Sequence, residues 1–211
     1  MLPDVLPLSS MVPPKTDRAL FVGMTGSGKT TLARLLLEFR KYVVVADYKG
    51  KIDWPGYVRY TTLKALVRAK EERLVYRPTF AESVDDETRA KFWEWVYRRG
   101  NTTIYNDETA ATIDRNNLPF FMGACLTRGR ELGIELWSGT QRPKDIPQVI
   151  LSESENVYAF RLRLPQDRER VEALTGIPRQ LISSLPKHQF LFARQDDDIV
   201  GPLRMRLTVA A

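Results

Sequence analysis

Among 211 residues there is one cysteine, Cys125, and one histidine, His188. A lone cysteine excludes an intrachain disulfide and suits a reducing compartment. Together the two counts exclude a zinc site built from a Cys/His cluster. Cys125 lies in an apolar stretch and His188 precedes one, so both read as structural residues. Long apolar runs are missing too: nothing approaches the roughly 18 apolar residues of a membrane-spanning helix, so no integral membrane segment is expected. Met1 to Lys15 contains Pro3, Pro7, Pro13, Pro14 and Asp4 and lacks the basic start and unbroken apolar core of a signal peptide. Residues 1–17 are therefore expected to form an N-terminal extended arm that packs on the fold or on a neighbour.

What is present is enough apolar content, 43%, for one sizeable α/β core. The formal charge is +6, with arginines clustered at Arg98-Arg99, Arg128 and Arg130, and Arg161, Arg163, Arg168 and Arg170. Such a surface suits a polyanionic partner, although charge alone leaves an ordinary solvated surface open.

Residues Gly23 to Thr30 read Gly-Met-Thr-Gly-Ser-Gly-Lys-Thr, which satisfies G-x-x-x-x-G-K-[ST] at every fixed position. In such a loop the glycines let successive N–H groups turn inward around a phosphate. Gly23, Thr25, Gly26, Ser27, Gly28, Lys29, Thr30 and Thr31 are the candidate nucleotide-binding residues. Lys29 brings a point charge to the β- and γ-phosphates, and the Thr30 hydroxyl is placed for Mg²⁺. The apolar run Arg18 to Val22 before the loop reads as a buried strand. Helical spacing over Thr31 to Phe39 after it supplies the N-terminus that favours anions.

The same patterns continue along the chain. Strands are expected at Tyr42–Ala46, Arg73–Tyr76, Thr102–Asn106, Ile134–Ser138 and Asn156–Phe160. Helices are expected at Leu63–Lys70, from Ser83-Val84-Asp85-Asp86 to Arg99, at Pro119–Glu131 and at Gln166–Leu174, with Lys51 to Tyr60 an irregular connection. Phe92, Trp93, Trp95, Val96 and Tyr97 read as packing surface. Gln189–Ala193 and Leu203–Thr208 flank Asp196-Asp197-Asp198 and suggest a terminal hairpin. Alternating strands and helices mean a mostly parallel sheet covered on both sides, in one domain over residues 18–211.

The fourth strand ends in Asp107-Glu108. An aspartate at the tip of a strand beside the P-loop can hold Mg²⁺, making Thr30 and Asp107 the metal candidates. Glu108 can orient the attacking water, which separates a hydrolase from a switch or a small-molecule kinase. Asn106 departs from the aliphatic residue usual before such a pair. The fifth strand runs into Gly139-Thr140-Gln141-Arg142-Pro143, where the Gln141 amide can touch both γ-phosphate and water.

The P-loop, Asp47-Tyr48-Lys49-Gly50, Asp107-Glu108, and Gly129-Arg130-Glu131-Leu132-Gly133-Ile134 followed by Gly139-Thr140-Gln141-Arg142-Pro143 together resemble the FtsK/HerA superfamily of DNA-pumping ATPases. Asn156 to Arg163 with Asp167-Arg168 is similar to the strand and helix that follow, so the resemblance covers roughly residues 18 to 195. It implies a RecA-like/ASCE P-loop NTPase fold, here ending in the C-terminal β-hairpin read above, with ATP and Mg²⁺ as ligands, and a ring of copies that threads double-stranded DNA without reading its sequence. It also implies an arginine finger acting on the neighbour's nucleotide. Arg130 is the best match, with Arg128 next and Arg142 and Arg161 weaker. The loop Ala111 to Leu118 with Arg115 is a candidate for the pore.

Without an anchor, a winged-helix tail or an N-terminal barrel, the chain resembles the genome-packaging ATPases of tailless, membrane-containing double-stranded DNA viruses. Capsid vertex or virion membrane proteins would then be partners, in the host cytoplasm or at the packaging vertex. The alternatives are a phage-assembly, secretion or conjugation-type motor, a nucleotide kinase, and a non-enzymatic ATP-binding assembly factor.

Overall fold

The fold follows from how its strands are covered. In the computed structural model, which describes residues 7–113, 117–195 and 199–204, β1 (Ala19–Val22), β2 (Val43–Ala46) and β5 (Thr102–Asn106) are buried at every position. The same holds for β6 (Ile134–Thr140) and β7 (Asn156–Phe160). Strands buried on both faces belong to a parallel sheet with helices on each side. With β3 (Val58–Tyr60), β4 (Arg73–Tyr76), β8 (Gln189–Arg194) and β9 (Val200–Arg204) they form one sheet in the order β3-β4-β2-β5-β6-β1-β7-β8-β9. The pairs from β3 to β7 are parallel; β8 and β9 close the edge as an antiparallel hairpin.

Alternation along each strand divides the core in two. Leu20, Val22, Val44 and Ala46 face one side. There they meet Phe92, Trp93 and Val96 of helix α5 (Asp86–Arg99) and Met122, Cys125 and Leu126 of α6 (Phe120–Arg128). Burial pushes the Cys125 thiol up to about 12, so it is an inert core group. Ala19, Phe21, Val43 and Val45 face the other side, against Leu32, Ala33, Leu36 and Leu37 of α2 (Lys29–Leu37). Aromatic rings bind this layer laterally: Phe21 stacks on Tyr158 at 4.6 Å and Tyr158 on Phe192 at 4.8 Å.

The N-terminal segment packs on this second face. It includes a helical turn, α1 (Leu8–Met11), so it is not wholly extended. Met11 is buried, the Tyr158 hydroxyl donates to its carbonyl, and Arg40 Nη2 donates to the Pro13 carbonyl at 2.5 Å. Residues 1–6 lie outside the described residues, as do Asp196-Asp197-Asp198 and everything after Arg204.

Several boundaries differ from the sequence reading. Val58–Tyr60, expected as irregular, is the edge strand; it is largely exposed and so lacks an apolar signature. The helix expected from Ser83 is two helices, α4 (Phe80–Val84) and α5, with α3 (Leu63–Leu66) before them. The break falls at Asp85, whose carboxylate accepts from Thr88 N at 2.7 Å and caps α5. α6 stops at Arg128, and Gly129–Leu132 continue as a tighter turn closed by Gly133. Short helices α7 (Gln148–Ser152) and α9 (Arg179–Ser184) flank α8 (Pro165–Thr175). Neither short helix was legible in the sequence.

Candidate nucleotide-binding and catalytic site

The P-loop leaves β1 at Val22 and is pinned by both neighbouring strands. Gly23 N donates to Thr140 O at 3.2 Å and Met24 N to Arg161 O at 3.0 Å. A side chain at Gly23 would place its Cβ 2.5 Å from Phe160 Cβ and 2.8 Å from Ser27 Oγ, so only glycine lets β7 come this close. Gly26 and Gly28 lie at φ +70° and +113°, and α2 begins directly at Lys29. Thr25 and Thr31 are exposed around this turn.

Lys29 is buried, and its Nζ donates to the loop's own carbonyls, Gly23 O at 2.7 Å and Met24 O at 3.0 Å. Burial lowers its pKa to about 8, against the opposing pull of Glu108 and Asp107. Ser27 Oγ is buried without a partner. A buried cation held only by the loop's own carbonyls, beside an unpartnered hydroxyl, fits a phosphate chain.

The sequence reading placed Asp107-Glu108 on a strand beside the P-loop. In the structure β6 lies between β1 and β5, one strand apart. Asp107 still reaches the loop: Thr30 Oγ1 donates to Asp107 Oδ1 at 2.5 Å, and the Tyr105 hydroxyl donates to the same oxygen at 3.0 Å. The intervening strand makes room through Gly139, where a Cβ would sit 2.5 Å from the Asp107 carbonyl oxygen. The β6 position also brings Gln141 between the two motifs. Its Oε1 accepts from Thr25 Oγ1 at 2.5 Å, and its Nε2 donates to Glu108 Oε2 at 2.9 Å. Asn106 is fully buried and donates to Thr112 Oγ1 at 2.7 Å, tying down the turn after Glu108. An aliphatic residue could not do this.

Glu108 is 8% exposed, and Lys49 Nζ donates to its Oε2 at 2.5 Å. Lys49 and Tyr105 were not singled out as site residues. The signal for Tyr105 is its place on β5 two residues before Asp107; for Lys49 it is its place in Asp47-Tyr48-Lys49-Gly50 and the register of β2 against β5, which pairs Ala46 with Asn106.

The arginines divide by location. Arg130 lies at the opposite end of the sheet from its own P-loop. It donates to Glu155 Oε1 at 2.8 Å and lies 3.7 Å from Asp17. Arg128 ends α6 nearby, exposed and without a partner among the described residues. Arg142 is held by Asp167 at 3.0 Å, whereas Arg161 follows β7 on the P-loop side. Arg115 lies outside the described residues. Among the basic clusters, Arg98 pairs with Glu94 and Arg99 donates to Glu71 O.

No protein-family model matches the chain. Over 183 residues it is 30% identical to the DNA packaging ATPase P9 of Enterobacteria phage PRD1, covering 83% of this chain and 77% of P9. The chain belongs to the viral DNA-packaging ATPases, of the FtsK/HerA type. The fold of this packaging ATPase matches the genome packaging NTPase B204 of Sulfolobus turreted icosahedral virus 2 in complex with sulfate. The TM-score is 0.73 at 19% identity, covering 89% of this chain and 96% of B204. The cytoplasmic domain of the type VII secretion ATPase EccC of Thermomonospora curvata shares the fold more distantly. Its TM-score is 0.59 at 18% identity, covering 88% of this chain and 25% of that cytoplasmic-domain chain. At these identities the likeness is one of fold, a mostly parallel P-loop NTPase sheet flanked by helices. Among the described residues no helix is long and apolar enough to cross a membrane.

Proposed function

We propose that this packaging ATPase hydrolyses ATP to drive double-stranded DNA into a preformed capsid at the packaging vertex. The observation that carries the reading is the meeting of three motifs at one end of the sheet. Thr30 is bonded to Asp107, and Gln141 bridges Thr25 to Glu108. A phosphate-binding loop alone would serve a kinase or a switch equally well. A glutamate bonded to a glutamine that also touches the loop suits water attack on a γ-phosphate.

In this reading the loop from Gly23 to Thr31 takes the phosphates, and Lys29 exchanges its hold on the Gly23 and Met24 carbonyls for the β- and γ-phosphates. Glu108 orients and deprotonates the water. Its oxygen bonds to the γ-phosphorus while the bond to the β–γ bridging oxygen breaks and ADP leaves. Gln141 touches both loop and base, so it reports the loss of the γ-phosphate to β6. Thr30 and Asp107 would hold Mg²⁺, which neutralises charge on the phosphates when bound. Oxygen donors suit that cation. No cluster of three or more His, Cys, Asp or Glu side chains could hold a metal among the described residues, so phosphate and water oxygens would complete its shell.

Arg130, with Arg128 as the second candidate, faces away from its own nucleotide and can serve only a neighbour's. This geometry supports a ring of copies around sequence-independent DNA contacts. The test is ATP hydrolysis with and without linear double-stranded DNA across a protein concentration series. Stimulation by DNA with a steep concentration dependence is expected. Turnover indifferent to DNA and linear in protein would sink the motor reading.

A further inference from the structure

Lys49, in Asp47-Tyr48-Lys49-Gly50, has none of the phosphate, metal or water roles assigned above, yet it bonds Glu108. Lys49 follows β2, the strand paired directly with β5. Its turn is clamped from below by Asp47, a fully buried carboxylate. Asp47 accepts from Lys51 N at 3.0 Å, Ile52 N at 2.9 Å and Arg77 Nε at 2.9 Å. Arg77 Nη2 also donates to Ile52 O at 2.5 Å, and Gly50 N donates to Asp47 O at 3.2 Å. The backbone on both sides of Lys49 is thus fixed, while its side chain, one-third exposed, leans over the open site onto Glu108.

The two oxygens of Glu108 are used unequally. Oε2 takes both strong bonds, from Lys49 Nζ at 2.5 Å and Gln141 Nε2 at 2.9 Å. Oε1 has only a long contact of 3.4 Å from Gln141 N. Two donors converging on one oxygen of a buried carboxylate restrain its orientation, and the other oxygen keeps lone pairs for a further donor. An exposed ion pair contributes little. This one involves a carboxylate that is almost fully buried, and a charge-assisted bond at this distance is a strong constraint on orientation.

We infer that Lys49 is a positioning residue for hydrolysis, anchoring Glu108 through Oε2 so that Oε1 is presented to the attacking water. The inference rests on Glu108 being the base proposed above. Lys49 then acts through Glu108 and not on the nucleotide, which separates it from Lys29.

The test uses the full chain with linear double-stranded DNA and compares Lys49→Ala, Lys49→Met, Lys49→Arg, Glu108→Gln and Lys49→Met/Glu108→Gln. Lys49→Met is expected to lower kcat by about 10- to 100-fold, within the range of general-base catalysis. The KM for ATP and the affinity for a non-hydrolysable ATP analogue should stay within about twofold. Lys49→Arg should recover part of kcat. In the Glu108→Gln background, adding Lys49→Met should cost no further rate, because the two residues act as a unit. Lys49→Met keeps the aliphatic stem, so the result stands even if Lys49→Ala folds poorly.

Equal losses in both backgrounds would overturn the inference. So would weakened binding of the ATP analogue with ADP affinity intact, since Lys49 would then contact the γ-phosphate itself. An unchanged kcat in Lys49→Met beside a slow Glu108→Gln would overturn the Lys49 role alone. Near-normal turnover of Glu108→Gln would overturn both readings, and the two failures are therefore distinguishable.

Discussion

Where the parallel strands begin, charged side chains have closed their accounts with one another: Arg18 and Arg130 share Glu155, and Arg40 sits on Glu135 at 2.7 Å over the Trp137 ring. Where the same strands end, the charges are buried but incompletely answered. Lys29 is held only by backbone carbonyls, Ser27 Oγ has no partner, and one oxygen of Glu108 is left with a long contact. Both ends bury ions at a cost, and only full pairing offsets it. The begin side therefore behaves as structure. The end side retains unmet bonding capacity, and that capacity is what a triphosphate and a water molecule can fill.

The sharpest way to break this contrast is to ask whether the begin side is only structural. Arg130→Ala is expected to bind ATP normally yet lose roughly 10³-fold in turnover, the scale of an arginine finger. Mixing it with Glu108→Gln should restore part of the activity, because each variant supplies what the other lacks. If Arg128→Ala behaves this way and Arg130→Ala only loses stability, the arginine paired with Glu155 is a strut and the unpaired one is the finger.

A stability measurement tests the strut idea directly. Burial raises the pKa of Glu135, and the Arg40 guanidinium opposes that shift. Arg40→Ala should therefore destabilise by about 3–5 kcal/mol in urea titrations, since it strands a buried carboxylate. Replacing both partners by apolar residues should recover most of that loss. On the end side, Glu108→Gln should bind ATP yet turn over at least about tenfold more slowly, measured by single-turnover hydrolysis.

The smallest effect is a proton. Burial holds Lys29 at about 8, below its usual 10.5. The folded chain thus binds fewer protons than the unfolded chain between those values, and this group's burden on stability, full below about 8, lifts as pH rises toward 10.5. A triphosphate favours the ammonium, so ATP binding at about pH 8.5 should take up protons at Lys29. Calorimetry in buffers of different ionisation enthalpy should show this, and Lys29→Met should abolish it.

These contrasts were legible in the sequence only where the cause is local. The P-loop is a contiguous turn, and the strands around it are short, mainly apolar runs, so both could be read from neighbours along the chain. The local pattern at Ser83-Val84-Asp85-Asp86 marks a helix start but places it at Ser83, two residues before the actual cap, Asp85, whose carboxylate accepts from Thr88 N. Lys49 and Glu108 are 59 residues apart and meet only through strand pairing, so no spacing rule announces them. The insertion of β6 between β1 and β5 follows from no local pattern, since a fully buried strand carries no mark of its neighbours; only the ASCE resemblance implied it. Arg130 was chosen by resemblance; that it faces away from its own loop comes from topology alone.

That inserted strand has a mechanical meaning. β6 is seven residues long, buried throughout, and paired on both sides. At about 3.3 Å per residue it is a stiff rod of roughly 20 Å. One tip continues into Gln141, which touches the P-loop's Thr25; the other begins at the turn that carries Arg130. If that arginine serves an adjacent copy, each rod has a foot in two nucleotide sites. Loss of a phosphate under one foot would then displace the other without any element refolding, and timing around a ring would be a property of a single strand's rigidity.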